Sequence, residues 1–184
     1  MSTASPYPAP PAYYRLPTVI QLGNALNYTA TIEWSRGDAR FCDLAYSRAH
    51  RWRFDGGAVV PASSSPHRVP APQSDPAAVD PEEAFIASLS SCHMLWFLAI
   101  AAKRGCVVDA YCDEAAGVMA HNAGKRLQMT EVVLRPHVRF SGRPPPTADF
   151  IAMHALAHER CFIANSVTTA VRIEPRLEHE PVDN

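Results

Sequence analysis

The sequence predicts an α+β fold in which two helices cover one face of an antiparallel sheet. Strand-like and helix-like segments are segregated along the chain, which is typical of this class and lacks the regular strand–helix alternation of a doubly wound sheet. A length of 184 residues with 47% hydrophobic content is enough for a single buried core. One long helix is apolar on most of its faces, so we expect the rest of the protein to enclose it.

The two ends of the chain are predicted to lie outside the folded domain. Residues 1–26 form a proline-rich arm, and proline at that density blocks both helices and sheet hydrogen bonding. Residues 27–175 form the domain, and residues 176–184 form a polar tail. The prolines that define the arm are Pro6, Pro8, Pro10, Pro11 and Pro17.

The first elements of the domain are predicted to be three antiparallel strands at residues 27–34, 40–46 and 50–60, because aromatic and β-branched residues are frequent there. The Pro- and Ser-rich residues 61–81 are predicted to be a surface loop. This loop ends at a strong helix start, at which Asp80 can cap the helix and Pro81 suits its first position. Gly105 supplies the stop, so the helix is predicted over residues 81–104.

The competing interpretation of this helix is a membrane span. Its apolar stretch, residues 84–102, is about as long as the shortest spans. Serines, Cys92 and His93 interrupt the stretch, and the sequence has no second candidate. We therefore expect an internal helix and no membrane association.

The second half of the domain is predicted to be a long hairpin, a helix and a last strand. Residues 107–119 and 127–140 form the hairpin around a turn at residues 121–124, where Asn and Gly tolerate positive φ. The second helix is predicted over residues 147–159 and the last strand over residues 166–173. The apolar face of this helix contains Phe150, Ile151, Met153, Leu156 and Ala157.

Composition excludes several classes of partner. A formal net charge of -1 argues against nucleic acid and anionic membranes. The N-terminus lacks the basic and apolar regions of a secretory signal, so we expect a cytoplasmic protein. Five cysteines without a CxxC pair indicate reduced thiols rather than a structural disulfide framework. The sequence also lacks a phosphate-binding glycine loop and a Ser-His-Asp signature.

Cys92 lies in the middle of the apolar helix, where an unpaired cysteine is commonly a small core residue. A reactive role needs the thiolate, and burial disfavours the thiolate unless a cation lies nearby. Cys92 is about three turns into its helix, beyond the reach of the helix dipole. A reactive Cys92 therefore requires an arginine.

Two segments together resemble the OsmC/Ohr family of organic hydroperoxide reductases. The first runs from Asp80-Pro81-Glu82-Glu83 to Ser91-Cys92-His93, and the second is His158-Glu159-Arg160-Cys161. The family has a Pro-Glu at the start of its central helix, a peroxidatic cysteine ten residues later and a resolving cysteine after the second long helix. The spacing from Glu82 to Cys92 matches.

The resemblance implies a thiol peroxidase in which Cys92 attacks a peroxide and Cys161 then closes a disulfide with it. In the family, an arginine from the early strand region pairs with the glutamate at the helix start and hydrogen-bonds the thiolate. The glutamate here is Glu82. We prefer Arg48 as the arginine, because it lies at the turn before the third predicted strand, and Arg36 and Arg40 are the alternatives.

The family also implies an intertwined homodimer, an organic hydroperoxide substrate, a dithiol reductant of the lipoyl type and no cofactor. The apolar Met94, Trp96 and Phe97 favour organic peroxides over hydrogen peroxide. Two positions depart from the family pattern. Phe162 follows Cys161 where many members have proline, and His93 follows Cys92 where many have an aromatic residue.

Two further hypotheses compete with this interpretation. His154 and His158 share one helical face, and Cys161 follows, a spacing that could bind zinc, although a solvated or capping pair is favoured. A non-enzymatic alternative keeps the OsmC-type fold as a binder of a hydrophobic ligand. Loss of free thiols with cumene hydroperoxide separates an enzyme from a binder.

Overall fold

The computed structural model describes residues 26–177, in which two α-helices and nine strands form the fold. Most of the predicted arm and residues 178–184 of the predicted tail lie outside the described residues. The last strand ends at Leu177, two residues past the predicted end of the domain. The elements are β1 Ala30–Glu33, β2 His50–Phe54, β3 Val59–Ala62, α1 Pro81–Lys103, β4 Val108–Asp113, β5 Ala116–His121, β6 Leu127–Leu134, β7 Pro136–Phe140, α2 Thr147–Arg160, β8 Ala170–Ile173 and β9 Arg176–Leu177, with a short 3-10 turn at Ala164–Ser166.

The first sheet has the order β1-β2-β3 and is antiparallel throughout. The strand predicted over residues 50–60 is in fact the hairpin of β2 and β3. The strand predicted over residues 40–46 is wrong, because this segment is a loop. Leu44 has φ 60°, which interrupts an extended backbone, and the Asp43 carboxylate accepts a hydrogen bond from the Ala45 N–H at 3.2 Å.

Helix α1 begins and ends where the sequence predicts, within one residue. The Asp80 carboxylate accepts a hydrogen bond from the Glu83 N–H at 2.8 Å, and the Glu83 carboxylate accepts one from the Asp80 N–H at 3.1 Å. This reciprocal capping box satisfies two backbone donors at the helix start. Gly105 adopts φ 73° just beyond the other end, a conformation that glycine adopts without strain.

The capping box leads to a prediction about stability. We expect Asp80→Ala to lower the free energy of unfolding by about 1 kcal/mol, because the Glu83 N–H loses its acceptor. Urea unfolding followed by circular dichroism measures the change. The control is Asp38→Ala, which removes an exposed carboxylate outside the helix and should leave the unfolding midpoint unchanged. Equal midpoints for the two variants would contradict the prediction.

The predicted long hairpin is present, and a break divides it into two halves. β4 pairs with β7, and β5 pairs with β6, both antiparallel. The break falls at residues 114–115 and 135, where the Asp113 carboxylate accepts a hydrogen bond from the Arg135 N–H at 2.6 Å. The last two strands are added in parallel, β8 beside β6 and β9 beside β7. The sheets are therefore mixed rather than purely antiparallel.

Both helices pack against this divided hairpin, and α1 also packs against α2. β5 approaches α1 closely at Gly117, where an added Cβ would lie 2.7 Å from Cδ1 of Ile86. Leu89 joins Val132 and Leu134 in one core cluster. The larger cluster brings α1 and α2 together beside β4 and β7 through Phe97, Ile100, Ala101, Val138, Phe140, Phe150, Met153 and Ala157.

One side of α1 remains exposed in the single chain. Leu95 is 62% exposed, and Ala87, Ser91 and Ala99 on the same helical face are exposed as well. Among residues 26–177, α1 is the helix that by length and composition could cross a membrane, with a mean hydropathy of 1.7, and 28% of that stretch is buried. A core helix of a soluble protein meets the same criteria.

Candidate active site

The structure brings Cys92 and Cys161 together, although 69 positions separate them in the sequence. Cys92 lies on α1 and is partly buried, whereas Cys161 follows the last turn of α2 and is 1% exposed. The Cys92 thiol is close enough to the Cys161 thiol to affect its pKa. Both are reduced in this structure. The packing of α1 against α2 therefore makes the two thiols neighbours.

Burial, and to a lesser extent the neighbouring Cys92 thiol, raise the pKa of the Cys161 thiol to about 11. Two backbone N–H groups oppose this effect, and that of Ala164 donates to the Cys161 sulfur at 3.4 Å. Cys161 is therefore protonated at neutral pH. Because the thiolate is the nucleophile, Cys161 is poorly suited to attack a peroxide.

Arg48 lies in the first sheet region and does not contact Cys92 of its own chain. Its Nη1 donates to the Leu44 carbonyl at 2.6 Å and to the Tyr46 carbonyl, and the guanidinium lies 3.9 Å from the centre of the Tyr46 ring. Arg48 lines a cavity of about 480 Å³ together with Trp34, Phe41 and Pro81. The guanidinium is thus held firmly beside an aromatic cavity at the start of α1.

Glu82 and Arg48 flank the start of α1 without forming an ion pair. Glu82 lines a second cavity of about 670 Å³, which also contains His67 and Arg68. Within residues 26–177, no arginine forms a salt bridge with Glu82. Pro81 and Cys92 are separated by about 16 Å along the helix. The predicted grouping of Cys92, Glu82 and Arg48 is therefore not assembled within one chain.

The other two candidate arginines make local contacts. Arg36 donates to the Ala39 carbonyl at 2.5 Å, and Arg40 pairs with Asp43 at 2.9 Å. Both contacts lie within the loop that precedes β2. Neither residue contacts Cys92 or Glu82 in the described chain.

Two buried histidines cross the helix interface next to the cysteines. Nε2 of His93 lies 3.0 Å from Nδ1 of His154, and the side chains are 1% and 2% exposed. The sequence interpretation missed this pair, although each residue has the spacing of the buried face of its helix. His154 was considered there with His158 and Cys161 as a possible zinc site. Within residues 26–177, no group of three or more His, Cys, Asp or Glu side chains could hold a metal ion.

The surroundings of the two thiols include an aromatic pair. Trp96 lies one helical turn after Cys92, and its ring meets the ring of Phe162 edge-on at 5.5 Å between centres. The Arg160 guanidinium lies 5.8 Å from the centre of the Trp96 ring. Phe162, at a position that departs from the family pattern, therefore adds apolar surface beside Cys161.

The α+β fold is the one that the resemblance to the OsmC/Ohr family implied, and comparison with known families agrees. The OsmC-like family model matches residues 73–176. This chain therefore belongs to the OsmC-like family, as the sequence interpretation expected. No curated protein sequence matches the chain at a significant level.

Solved structures share the fold over most of the chain. An OsmC-like protein of unknown function from Vibrio cholerae is 52% identical, with a TM-score of 0.81 over 83% of this chain and all of that one. An organic hydroperoxide resistance protein from Elizabethkingia anophelis is 12% identical, with a TM-score of 0.61 over 85% of this chain and 98% of that one. The organic hydroperoxide resistance protein OhrB of Bacillus subtilis is 15% identical, with a TM-score of 0.58 over 83% and 98%. At these lower identities, the last two comparisons support the fold alone.

Proposed function

We propose that this protein is a thiol peroxidase that reduces organic hydroperoxides to alcohols. The observation that carries the proposal is the contact between the Cys92 and Cys161 thiols, with Cys92 more accessible than Cys161. The names of two structural relatives, which are organic hydroperoxide resistance proteins, are consistent with this substrate class.

The reaction has two steps on the protein. The Cys92 thiolate attacks the terminal oxygen of the hydroperoxide, the O–O bond breaks, and the alkoxide takes a proton to leave as the alcohol. Cys92 is then a sulfenic acid. In the second step, the Cys161 sulfur attacks the Cys92 sulfur, hydroxide leaves with the proton of Cys161 as water, and a disulfide remains. A dithiol reductant, such as a lipoyl group, returns both thiols to the reduced state.

The high pKa of Cys161 supports this division of roles. A thiol with a pKa of about 11 is protonated at neutral pH, so peroxide reacts with it slowly. It is also protected, because it is buried. The same proton is available to the hydroxide that leaves Cys92 during disulfide formation. Cys161 is therefore the resolving thiol and Cys92 the attacking one.

A second copy of the chain completes the site in this proposal. Arg48 lies beside the start of α1 and Cys92 near its middle within one chain, whereas a reactive thiolate needs a nearby cation. The exposed apolar face of α1 around Leu95 supports association with a second copy. In the resulting homodimer, Arg48 of the second copy, oriented by Glu82, stabilises the Cys92 thiolate and the charge that develops on the peroxide oxygen.

The test is the intact mass of the protein after one equivalent of cumene hydroperoxide. We expect the wild type to lose about 2 Da as the disulfide forms, and Cys161→Ser to gain about 16 Da as the sulfenic acid accumulates. Cys92→Ser should keep its mass. An unchanged wild-type mass would contradict the peroxidase proposal and favour an OsmC-fold binder of a hydrophobic ligand, for which the aromatic cavity beside Arg48 offers space.

The choice of peroxide is tested by comparing rate constants. The apolar surface formed by Trp96 and Phe162 should bind the organic substituent of a hydroperoxide. Hydrogen peroxide has no such substituent, so this surface should not contribute to its binding. Cumene and tert-butyl hydroperoxide are therefore expected to react faster than hydrogen peroxide. A larger rate constant for hydrogen peroxide would contradict this substrate class.

A further inference from the structure

The buried His93–His154 pair has a geometry that the two-step reaction above does not use. The planes of the two rings are nearly parallel, with an interplanar angle of 7°, and Nε2 of His93 lies 3.0 Å from Nδ1 of His154. This arrangement is an N–H···N hydrogen bond between an imidazole on α1 and an imidazole on α2. It is a direct polar link across the helix interface.

The surroundings of the pair are apolar. The Phe97 ring stacks on His154 with 4.1 Å between centres, and Phe150 meets His154 edge-on at 4.6 Å. Burial lowers the pKa of His93 to about 4 and that of His154 to about 3. Both rings are therefore neutral at physiological pH. The link is a hydrogen bond between two neutral groups.

Each imidazole ring of the pair has one nitrogen in the shared hydrogen bond and one nitrogen without a partner in the described residues. Within the described residues, Nδ1 of His93 and Nε2 of His154 have no hydrogen-bond partner. A buried polar group with one unsatisfied nitrogen costs stability relative to an apolar side chain of the same size. Apolar packing alone would thus give a more stable interface. The polar link instead specifies one rotation of each helix about its axis, because a hydrogen bond depends on direction and apolar contact does not.

The pair lies close to the two thiols, where a rotation of either helix would change the distance between the sulfurs. His93 directly follows Cys92 on α1, and His154 precedes Cys161 by seven residues, which is two helical turns. A rotation or shift of α2 against α1 would therefore separate the sulfurs. A metal does not explain the pair, because no suitable ligand group exists within residues 26–177.

We propose that the His93–His154 hydrogen bond is a positioning device for disulfide closure, which holds α1 and α2 so that the Cys161 thiol meets the oxidised Cys92. The proposal rests on the proposed function for its role in turnover. Neither histidine acts on the reacting atoms. Loss of the bond should slow closure and leave the attack of Cys92 on peroxide unchanged.

The first test needs no peroxide. The equilibrium between the reduced protein and its Cys92–Cys161 disulfide is measured in glutathione buffers. It gives the effective concentration of one thiol relative to the other, which reports how well the two are positioned to form the disulfide. We expect His154→Phe, which keeps a flat ring but removes the hydrogen-bonding nitrogen, to lower this concentration at least about 10-fold. His121→Phe changes an exposed histidine at the β5–β6 turn and should have no effect.

Rescue distinguishes positioning from a general effect on folding. In the double variant His93→Gln with His154→Asn, the amide groups can take the places of Nε2 and Nδ1 and restore the link. We expect this variant to recover most of the effective concentration, although its buried volume is smaller. Recovery supports the proposal. An unchanged effective concentration in His154→Phe, or no recovery in the amide pair while circular dichroism reports a native fold, would overturn it.

The second test separates the two chemical steps. Rapid mixing with cumene hydroperoxide, followed by quenching and mass analysis, measures sulfenic acid formation and disulfide closure independently. We expect closure in His154→Phe to slow at least about 10-fold, with sulfenic acid formation within about twofold of wild type. A parallel loss of both rates would overturn the positioning role. If wild type does not react with peroxide, the proposed function fails, and the glutathione equilibrium still decides the role of the pair.

Discussion

Arg48→Met is expected to lower the second-order rate constant for cumene hydroperoxide by about 100-fold to 1000-fold, the usual effect of removing one donor that stabilises developing negative charge. Methionine retains an apolar side chain of similar length beside the Tyr46 ring. The loss should therefore reflect the missing guanidinium rather than altered packing. Stopped-flow measurement of sulfenic acid formation gives the rate constant.

Arg40→Met is the matched control for this substitution. Arg40 pairs with Asp43 on the surface of the same loop, so its loss should change the rate constant less than about twofold. Arg36→Met should behave in the same way, since its guanidinium donates to a backbone carbonyl nearby. A large loss in either control, with little effect of Arg48→Met, would show that the assignment of the arginine is wrong.

Mixing two inactive variants tests whether the site is shared between copies. Arg48→Met supplies an intact Cys92, and Cys92→Ser supplies an intact Arg48. If each site takes one residue from each chain, co-refolding equal amounts should restore about a quarter of the wild-type activity, because half of the dimers are mixed and each has one complete site. No recovery, with mixed dimers verified by native mass spectrometry, would contradict the shared site.

Acid is expected to destabilise this protein through the His93–His154 pair. An ordinary histidine has a pKa of 6.5, whereas burial lowers the pKa of His93 to about 4 and of His154 to about 3. Below pH 6.5 the unfolded chain binds protons at both positions and the folded chain does not. The free energy of unfolding therefore falls as the pH falls from 6.5 to about 4, with the effect fully absent above that range.

The expected magnitude between pH 7 and pH 4.5 is at most roughly 5 kcal/mol, because each of the two groups contributes about 1.4 kcal/mol per pH unit over about two units. The neighbouring His158 adds to the effect, because its electrostatic interaction with His93 also lowers the pKa of His93. Urea unfolding at both pH values measures the loss. The double variant His93→Phe with His154→Phe should lose markedly less on acidification, whereas His121→Phe should follow the wild type. Equal losses in all three proteins would contradict this origin.

The parts of the fold that local chemistry specifies could be predicted from the sequence. Asp80, Pro81 and Gly105 mark the ends of α1 through capping, a fixed φ and a positive φ, and all three act within a few residues. The loop at residues 40–46 was predicted wrongly, because its composition suits a strand while Leu44 adopts a left-handed conformation that composition does not reveal. The break in the long hairpin depends on the hydrogen bond from Arg135 to Asp113, which joins residues 22 positions apart.

The candidate site could also be predicted only in part from the sequence. The motif around Cys92 and Cys161 is visible in the sequence, and the contact between the thiols follows from the packing of α1 on α2. In the proposed site, the position of Arg48 relative to Cys92 would depend on association with a second copy, which spacing along one chain does not encode. The histidine pair was missed because His93 and His154 are 61 positions apart, and periodicity predicts that each is buried without indicating that they meet.

The burial of Cys161 has a consequence for the reductant. With 1% of this residue exposed, an incoming dithiol can reach the oxidised pair from the side of the more accessible sulfur on α1. Exchange would then join the donor to Cys92 and release Cys161 first. A donor carrying one bulky thiol should stall at that adduct, whereas a slender donor with two adjacent thiols can complete the exchange from within the same complex.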